Sequence, residues 1–271
     1  MELVADRLAC RRAGRLVFTD VSFSVASGEA ALLRGPNGSG KSSLLRLLAG
    51  LLPVEGGDAS LDGLSLRRDR DGFQDFVAYA GHLDAIKPQL TVQENLRLWA
   101  RGYGAAIELP PSEEAREEED AFAPPARRSL MDEEKEEAAS PPAAPSDRLD
   151  IALERLGLLP IASFPAGYCS AGQKRRLGLA RLLVVDRPVW LLDEPTVSLD
   201  VDAVEIFAAM VREHLAEGGL AIAATHVPLG LDHAQEIVMG AATAPPARGL
   251  DDEDETASLL PDDPFLEGDW R

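Results

Sequence analysis

The chain has 271 residues, 46 acidic against 27 basic, for a formal net charge of -19. An apolar fraction of 45 % supports a sizeable core and excludes wholesale disorder. The acidity disfavours nucleic acid as the main partner and direct adsorption on anionic lipid.

In chain order, strands are expected at Leu16–Val25 and Ala30–Arg34, a helix at Lys41–Leu51, a strand at Phe76–Ala80 and a helix at Thr91–Gly102. Helices follow at Asp147–Leu156 and Ala171–Val184, a strand at Val189–Leu192, a helix at Val201–Glu217, and strands at Ala221–Thr225 and Ala234–Met239. This alternation points to an α/β fold with a mainly parallel sheet, and alternating Val21, Phe23 and Val25 suggest an antiparallel β edge. Two segments break the pattern. Residues 105–146 hold 12 acidic and 4 basic side chains, and residues 243–271 hold 9 and 2, so the remaining 200 residues are close to neutral at -4. Both are rich in Ala, Pro and acid, a composition that cannot bury enough apolar surface to offset ordering entropy. They are expected to be an unstructured insert and tail, either inert or regulatory. Cys10 and Cys169 form no disulfide framework or zinc spacing. The first residues lack a signal-peptide apolar stretch, and no window of about 18 apolar residues offers a membrane span. The expectation is a soluble, cytoplasmic chain able to dock on a membrane protein.

The sharpest chemical signal is Gly35-Pro36-Asn37-Gly38-Ser39-Gly40-Lys41-Ser42, followed by Ser43. It fits GxxxxGK[ST], follows an apolar strand and opens a helix, which is the context the motif requires. Glycines let successive N–H groups turn inward on phosphate oxygens, and the helix N-terminus adds its positive dipole end. Lys41, one of only four lysines, would sit between β- and γ-phosphates, and the Ser42 hydroxyl would reach Mg²⁺. Downstream, Val189-Trp-Leu-Leu-Asp-Glu194 reads as a buried strand ending in two acids, at the sheet edge where ligands bind. Asp193 would hold Mg²⁺ and Glu194 would orient or deprotonate the attacking water.

Cys169-Ser170-Ala171-Gly172-Gln173 resembles the LSGGQ signature of ATP-binding cassette (ABC) ATPases. Ser198-Leu199-Asp200 looks like their D-loop and Thr225-His226 like their switch histidine, in the family's order. The resemblance implies a P-loop NTPase cassette over residues 1–240, with a helical subdomain at about 82–184 interrupted by the insert 105–146, and the tail 243–271 outside it. It implies ATP and Mg²⁺ as cofactors. It also implies a head-to-tail homodimer in which Ser170, Ala171, Gly172, Gln173 and Asp200 serve the partner's ATP. Four positions depart from the family pattern. Ala171 replaces the first signature glycine, a mild change provided the backbone there has φ < 0. Cys169 replaces Leu, either as a small hydrophobe or as a reactive thiol. His82 stands where cassettes place a glutamine that contacts Mg²⁺ and senses the membrane partner, or is simply an exposed strand-end residue. Arg12 falls near the adenine-stacking position, where a guanidinium could stack by cation–π contact or face solvent.

Residues 79–100, 168–184, 187–200 and 224–229, with the histidine at the glutamine position, resemble one subfamily, the haem exporter ATPases (CcmA) of cytochrome c biogenesis. That resemblance implies a peripheral ATPase at the cytoplasmic face of the inner membrane. Its implied partners are a membrane subunit of the CcmB type and the CcmC–CcmD/CcmE haem-handling proteins, with ATP hydrolysis driving release of the haem-loaded chaperone. The segment His82–Trp99, with Ile86, Lys87, Leu90 and Trp99, is the expected docking region. The alternatives are a cassette exporting another substrate, a nucleotide-binding assembly scaffold with little turnover, or a non-transport cassette acting on ribosomes or DNA. The last lacks its usual second cassette or coiled-coil arms, and nucleic acid is not an expected partner.

Overall fold

A computed structural model describes residues 1–81, 85–103, 145–227, 229–231 and 233–240. The acidic tail and all but the last two residues of the acidic insert lie outside the described residues, as does His82.

The chain opens with a hairpin, β1 (Glu2–Arg12) and β2 (Arg15–Ala26), closed by Ala13-Gly14 with φ of 45° and 75°. Positive φ at both central residues matches the twist of a two-residue hairpin loop. After β3 (Ala30–Arg34) and helix α1 (Lys41–Leu48) come β4 (Gly56–Leu61) and β5 (Leu64–Ser65), giving an antiparallel sheet in the order β2-β1-β4-β5. The sequence suggested only one of these strands. β1 was hidden because its alternation slips between Ala5 and Leu8, where Arg7 adopts φ 47°. A bulge of this kind moves the buried set by one residue. β4 was hidden by Gly56-Gly57, whose second glycine lies against the bulge. A Cβ on Gly57 would come within 2.2 Å of the Asp6 carbonyl oxygen.

Short helix α2 (Arg70–Gln74) leads into β6 (Val77–Ala80). With β7 (Val189–Asp193), β8 (Leu220–Ala224), β3 and β9 (Gln235–Val238) it forms a wholly parallel sheet in the order β6-β7-β8-β3-β9. Its central strands are apolar throughout because both faces are covered. Val189 and Leu191 of β7, with Leu220 and Ile222 of β8, face α1 and the antiparallel sheet. Trp190 and Leu192, with Ala221 and Ala223, face helices α3 (Val92–Gly102), α4 (Pro145–Arg155), α5 (Ala171–Val185) and α6 (Val201–Ala216). The four helices fall within two residues of their expected bounds. Reciprocal capping boxes set two of the starts: Thr91 with Glu94 on α3, and Ser170 with Gln173 on α5. Asp200 caps α6 by accepting from the Ala203 N–H at 2.8 Å.

Candidate functional site

The phosphate-loop sequence lies between β3 and α1, at the carboxyl edge of the parallel sheet. Gly35, Gly38 and Gly40 have φ of 143°, 84° and 98°. At Gly40 a Cβ would come within 2.9 Å of Val17 and 3.0 Å of Phe18, so side-chain packing as well as φ requires glycine there. Lys41 is buried, and its Nζ donates to the carbonyl oxygens of Gly35 at 2.8 Å and Pro36 at 3.1 Å. An ammonium has three donors, so one remains for a phosphate oxygen. Ser39 Oγ is buried in the loop with no partner among the described residues, a polar atom that a phosphate oxygen would satisfy. A cleft of about 610 Å³ lies over this loop, lined by Asn37, Gly38, Lys41 and Ser43 of the loop, Glu194, and Arg12 and Arg15 at the hairpin tip. Arg12 therefore stands beside the loop as expected. Arg15 joins it because the tight turn pairs the two residues across the hairpin, a neighbour the sequence reading missed.

Asp193 ends β7 and is 2 % exposed. Its Oδ1 accepts from Ser42 Oγ at 2.8 Å, and its Oδ2 from the Tyr79 hydroxyl at 3.0 Å. Burial, the largest influence, pushes the Tyr79 phenol above its ordinary range, so it stays protonated and donates. Arg46 of α1 donates to the same phenolic oxygen at 3.3 Å. Ser42 and Asp193 are hard oxygen donors side by side, which fits Mg²⁺. That ion takes one or two protein oxygens and fills its remaining positions with phosphate and water. Among the described residues no group of three His, Cys, Asp or Glu forms a protein-only metal cage.

Glu194 follows with φ 49°, a left-handed conformation unusual for a residue bearing a Cβ. Its N–H is held by the Ala224 carbonyl at 2.8 Å. The side chain turns to His226, whose Nε2 lies 3.4 Å from Glu194 Oε1. The two meet because β7 and β8 are adjacent parallel strands and both residues lie just beyond the carboxyl ends. Arg175 of α5 is 4 % exposed. It donates to the backbone oxygens of Pro195 at 3.0 Å, Gly81 at 2.7 Å and Glu194 at 2.6 Å. It thus ties the signature helix to the ends of β6 and β7. Nothing in the sequence separated Arg175 from its neighbour Arg176.

The signature residues stand outside the cleft. Ser170 and Ala171 are exposed, Gly172 and Gln173 half-buried. Ser170 Oγ accepts from the Gln173 N–H at 3.2 Å, and Gln173 Oε1 from the Ser170 N–H at 2.8 Å. Ala171 begins the helix at negative φ, so losing the glycine found there in the family costs no strain. Cys169 packs into the core, and burial pushes its thiol up, which removes the reactive-thiol reading. A Cβ on Gly172 would meet the Ser198 carbonyl oxygen at 3.1 Å, so the signature and the loop before α6 are in contact.

A second concavity of about 560 Å³ lies between α1, α2 and β6 on one side and the end of α3 on the other, lined by Leu51, Asp71, Tyr79, Tyr103 and Arg181 among others, and by Asp75 and Arg187, which pair at 3.3 Å. The expected docking residue Trp99 is not on this surface. It is 9 % exposed, with the Arg181 guanidinium 5.8 Å over its ring. Ile86 is likewise packed on the core. The segment from Lys87 to Thr91 is organised by buried Asn95, which accepts from the Lys87 N–H at 2.8 Å and donates to the Thr91 carbonyl oxygen at 2.9 Å. It is also tied to the turn before the signature by the Ala166 N–H to Leu90 oxygen bond at 2.8 Å and the Gly167 N–H to Pro88 oxygen bond at 2.9 Å.

Fold and site together define an ATP-binding cassette of the ABC transporter type. The family model described as ABC transporter matches residues 18–197. Among solved structures, an ATP-binding subunit of an ABC transporter superposes with TM-score 0.67 at 23 % identity, over 88 % of this chain and 86 % of that one. A dimeric post-hydrolysis state of an ATP-binding cassette bound to ADP and Pi does so with TM-score 0.64 at 19 % identity, over 88 % and 94 %. The cytochrome c biogenesis ATP-binding export protein CcmA of Paracoccus denitrificans is 43 % identical over 89 % of this chain and 90 % of its own length. That of Ruegeria pomeroyi is 43 % identical over 94 % and 98 %. The chain belongs to the CcmA family.

Proposed function

We propose that this chain is the ATP-hydrolysing subunit of a haem exporter-type ABC transporter in c-type cytochrome maturation. The observation that carries the hydrolytic reading is the convergence of Lys41, Ser42, Asp193, Glu194 and His226 on one sheet edge, with Ser42 and Asp193 2.8 Å apart and Glu194 and His226 3.4 Å apart. The loop from Gly35 to Ser43 binds the phosphates through its N–H groups and Lys41. Ser42 and Asp193 would hold Mg²⁺, which would supply positive charge to offset that of the phosphates. Glu194 accepts the proton of the attacking water, and His226, within reach of the same carboxylate, orients it and contacts the γ-phosphate. Arg12 and Arg15 offer guanidinium faces to the base. In the sequence, His82 occupies the position of the family glutamine.

The signature residues, with Ser170 and Ala171 exposed and Gly172 and Gln173 half-buried, stand away from their own cleft and can close on ATP bound to a second copy. Residues 1–240 form the cassette, with α3 to α5 as its helical subdomain. Among the described residues no helix is long and apolar enough to cross a membrane, so the work is delivered through a membrane subunit of the CcmB type at the cytoplasmic face of the inner membrane. The CcmC–CcmD/CcmE proteins would act on its other side. The groove beside Tyr79 is the docking face. Its wall carries exposed Leu51 and Tyr103; at its rim Asp75 is paired with Arg187 at 3.3 Å, and exposed Asp71 is the acid that faces an incoming cation. This combination suits an amphipathic cytoplasmic segment bearing Lys or Arg, the charge that cytoplasmic loops of membrane proteins carry in excess.

The test is Glu194→Gln. It should bind ATP, accumulate as an ATP-trapped dimer and lose about 10²–10⁴-fold in turnover, the range of a general base. Normal turnover would reject the assignment of Glu194. For the biological role, Lys41→Ala should abolish nucleotide binding and c-type cytochrome maturation together. Maturation that survives in this variant would reject haem export, in favour of a cassette for another substrate.

A further inference from the structure

One side chain of β6 belongs to two places at once. The Tyr79 ring is part of the wall of the docking groove, beside Leu51, Asp75 and Tyr103. Its hydroxyl donates to Asp193 Oδ2 at 3.0 Å, while Arg46 Nε donates to the phenolic oxygen at 3.3 Å. The phenol's single proton is therefore committed to Asp193, and its oxygen is held from the α1 side. Asp193 is in turn gripped at both oxygens, by Ser42 at Oδ1 and by Tyr79 at Oδ2. A carboxylate held at one oxygen can still swing about its Cβ–Cγ bond, whereas one held at both presents a fixed lone pair to a metal. Partners of this kind, behind a metal-holding group, are worth about 10–100-fold in metal affinity.

We propose that Tyr79 is a positioning residue for the Asp193 carboxylate, and that through its ring an amphipathic cytoplasmic segment of the membrane subunit, seated in the groove, acts on the metal site. This rests on the reading of Asp193 as the Mg²⁺ holder and of the groove as the docking face. A segment that packs in the groove meets the Tyr79 ring directly, and a ring displaced along the groove wall carries its hydroxyl with it. The distance from Tyr79 to Asp193 is one hydrogen bond, so no longer chain of contacts is required.

Tyr79→Phe separates the two halves, because it keeps the ring in the groove wall and removes only the hydroxyl. Mn²⁺ binding to the ADP-loaded protein, read from the free-ion electron paramagnetic resonance signal, is compared in the parental chain, Tyr79→Phe and Asp193→Asn. Each is measured alone and as the detergent-solubilised complex with the membrane subunit. The expected result is a loss of about tenfold in Mn²⁺ affinity for Tyr79→Phe, with ADP affinity in excess chelator unchanged and the variant still folded at the temperature of the assay. Asp193→Asn should lose the ion almost entirely. Addition of the membrane subunit should shift the parental Mn²⁺ affinity and leave that of Tyr79→Phe nearly where it was. Parental affinity in Tyr79→Phe, beside a clear loss in Asp193→Asn, overturns the positioning role. An equal shift in both proteins, or none in the parental chain, overturns the coupling. Parental affinity in Asp193→Asn overturns the metal assignment itself, and the proposal with it.

Discussion

Arg175 is where stability and catalysis should fail together. Its guanidinium is 4 % exposed and makes three short bonds, at 3.0, 2.7 and 2.6 Å, to the carbonyl oxygens of Pro195, Gly81 and Glu194. A fourth contact, to the Asp193 carbonyl oxygen, is long at 3.5 Å and contributes little. Arg175→Met keeps the stem and removes every donor. Each carbonyl that loses its partner in a buried site costs about 1–3 kcal/mol. Water admitted by the shorter side chain recovers part of that, and relief from burying a cation recovers more, leaving a net loss of about 3–4 kcal/mol. For a domain of this size each kcal/mol is worth roughly 2–4 °C, so the melting temperature should fall by about 6–16 °C. Below that temperature ATP should still bind, because the phosphate loop does not touch Arg175 in any described contact. Turnover should drop, because two of the three carbonyls flank Glu194 and set where its carboxylate points. Calorimetric unfolding and steady-state ATPase assays on the same preparation read both. Arg175→Lys, which keeps the charge but cannot reach three divergent oxygens, should recover less than half of either. A melting shift that corresponds to less than about 1 kcal/mol, with normal turnover, would refute the argument that this side chain joins the signature helix to the catalytic edge.

Gly40→Ala should lose nucleotide binding and cost about 1–2 kcal/mol of stability or more, since φ 98° disfavours a Cβ and Val17 and Phe18 leave no room for one; equilibrium denaturation and ATP titration measure the two effects. Arg12→Ala and Arg15→Ala should each raise the apparent Kd for ATP by about threefold, within the range of a cation–π contact. A double variant indistinguishable from the parental chain would remove both from the base site. His214, stacked on Trp190 at 3.9 Å, has its pKa lowered, chiefly by burial. Its Nε2 faces the carbonyl oxygens of Pro188 and Leu220, which only accept, so Nε2 carries the proton of the neutral ring. A histidine with a depressed folded-state pKa binds more protons when unfolded. Its contribution is therefore complete above the ordinary histidine pKa of about 6.5 and is lost as pH falls through the lower folded-state value. Stability profiles of the parental chain and of His214→Gln should converge as pH drops below that point, and parallel profiles would refute the argument.

Much of the chemistry was readable along the chain because it is local. A glycine-rich turn between an apolar strand and a helix, an apolar strand ending in Asp193-Glu194, and serine or aspartate before a helical run each state their conformation within ten residues. That is why the parallel strands and the four long helices fall close to their expected positions. Of the antiparallel sheet, the strand β2 and its antiparallel character were readable, but β1, β4 and β5 were not. The bulge at Arg7 and the glycines opposite it have their reason in each other, and they lie on strands separated by the whole of the phosphate loop and α1. Trp99 shows the reverse error. An aromatic in a segment expected to dock a partner is buried against Arg181, because the helix turns that face inward on α5.

What the sequence by itself determined is therefore the set of groups and their local geometry: the phosphate loop, the two acids, the caps that start α5 and α6. Only the tertiary structure decided which atoms meet. Ser42 and Asp193 are 151 positions apart, and Tyr79 and Asp193 are 114 apart. Their contacts exist because β6, β7, β8 and β3 lie parallel with one register and end at one edge. Hydrogen bonds of a parallel sheet fix that alignment among residues that no local preference relates, and it is this alignment that gives Asp193 a partner at each oxygen.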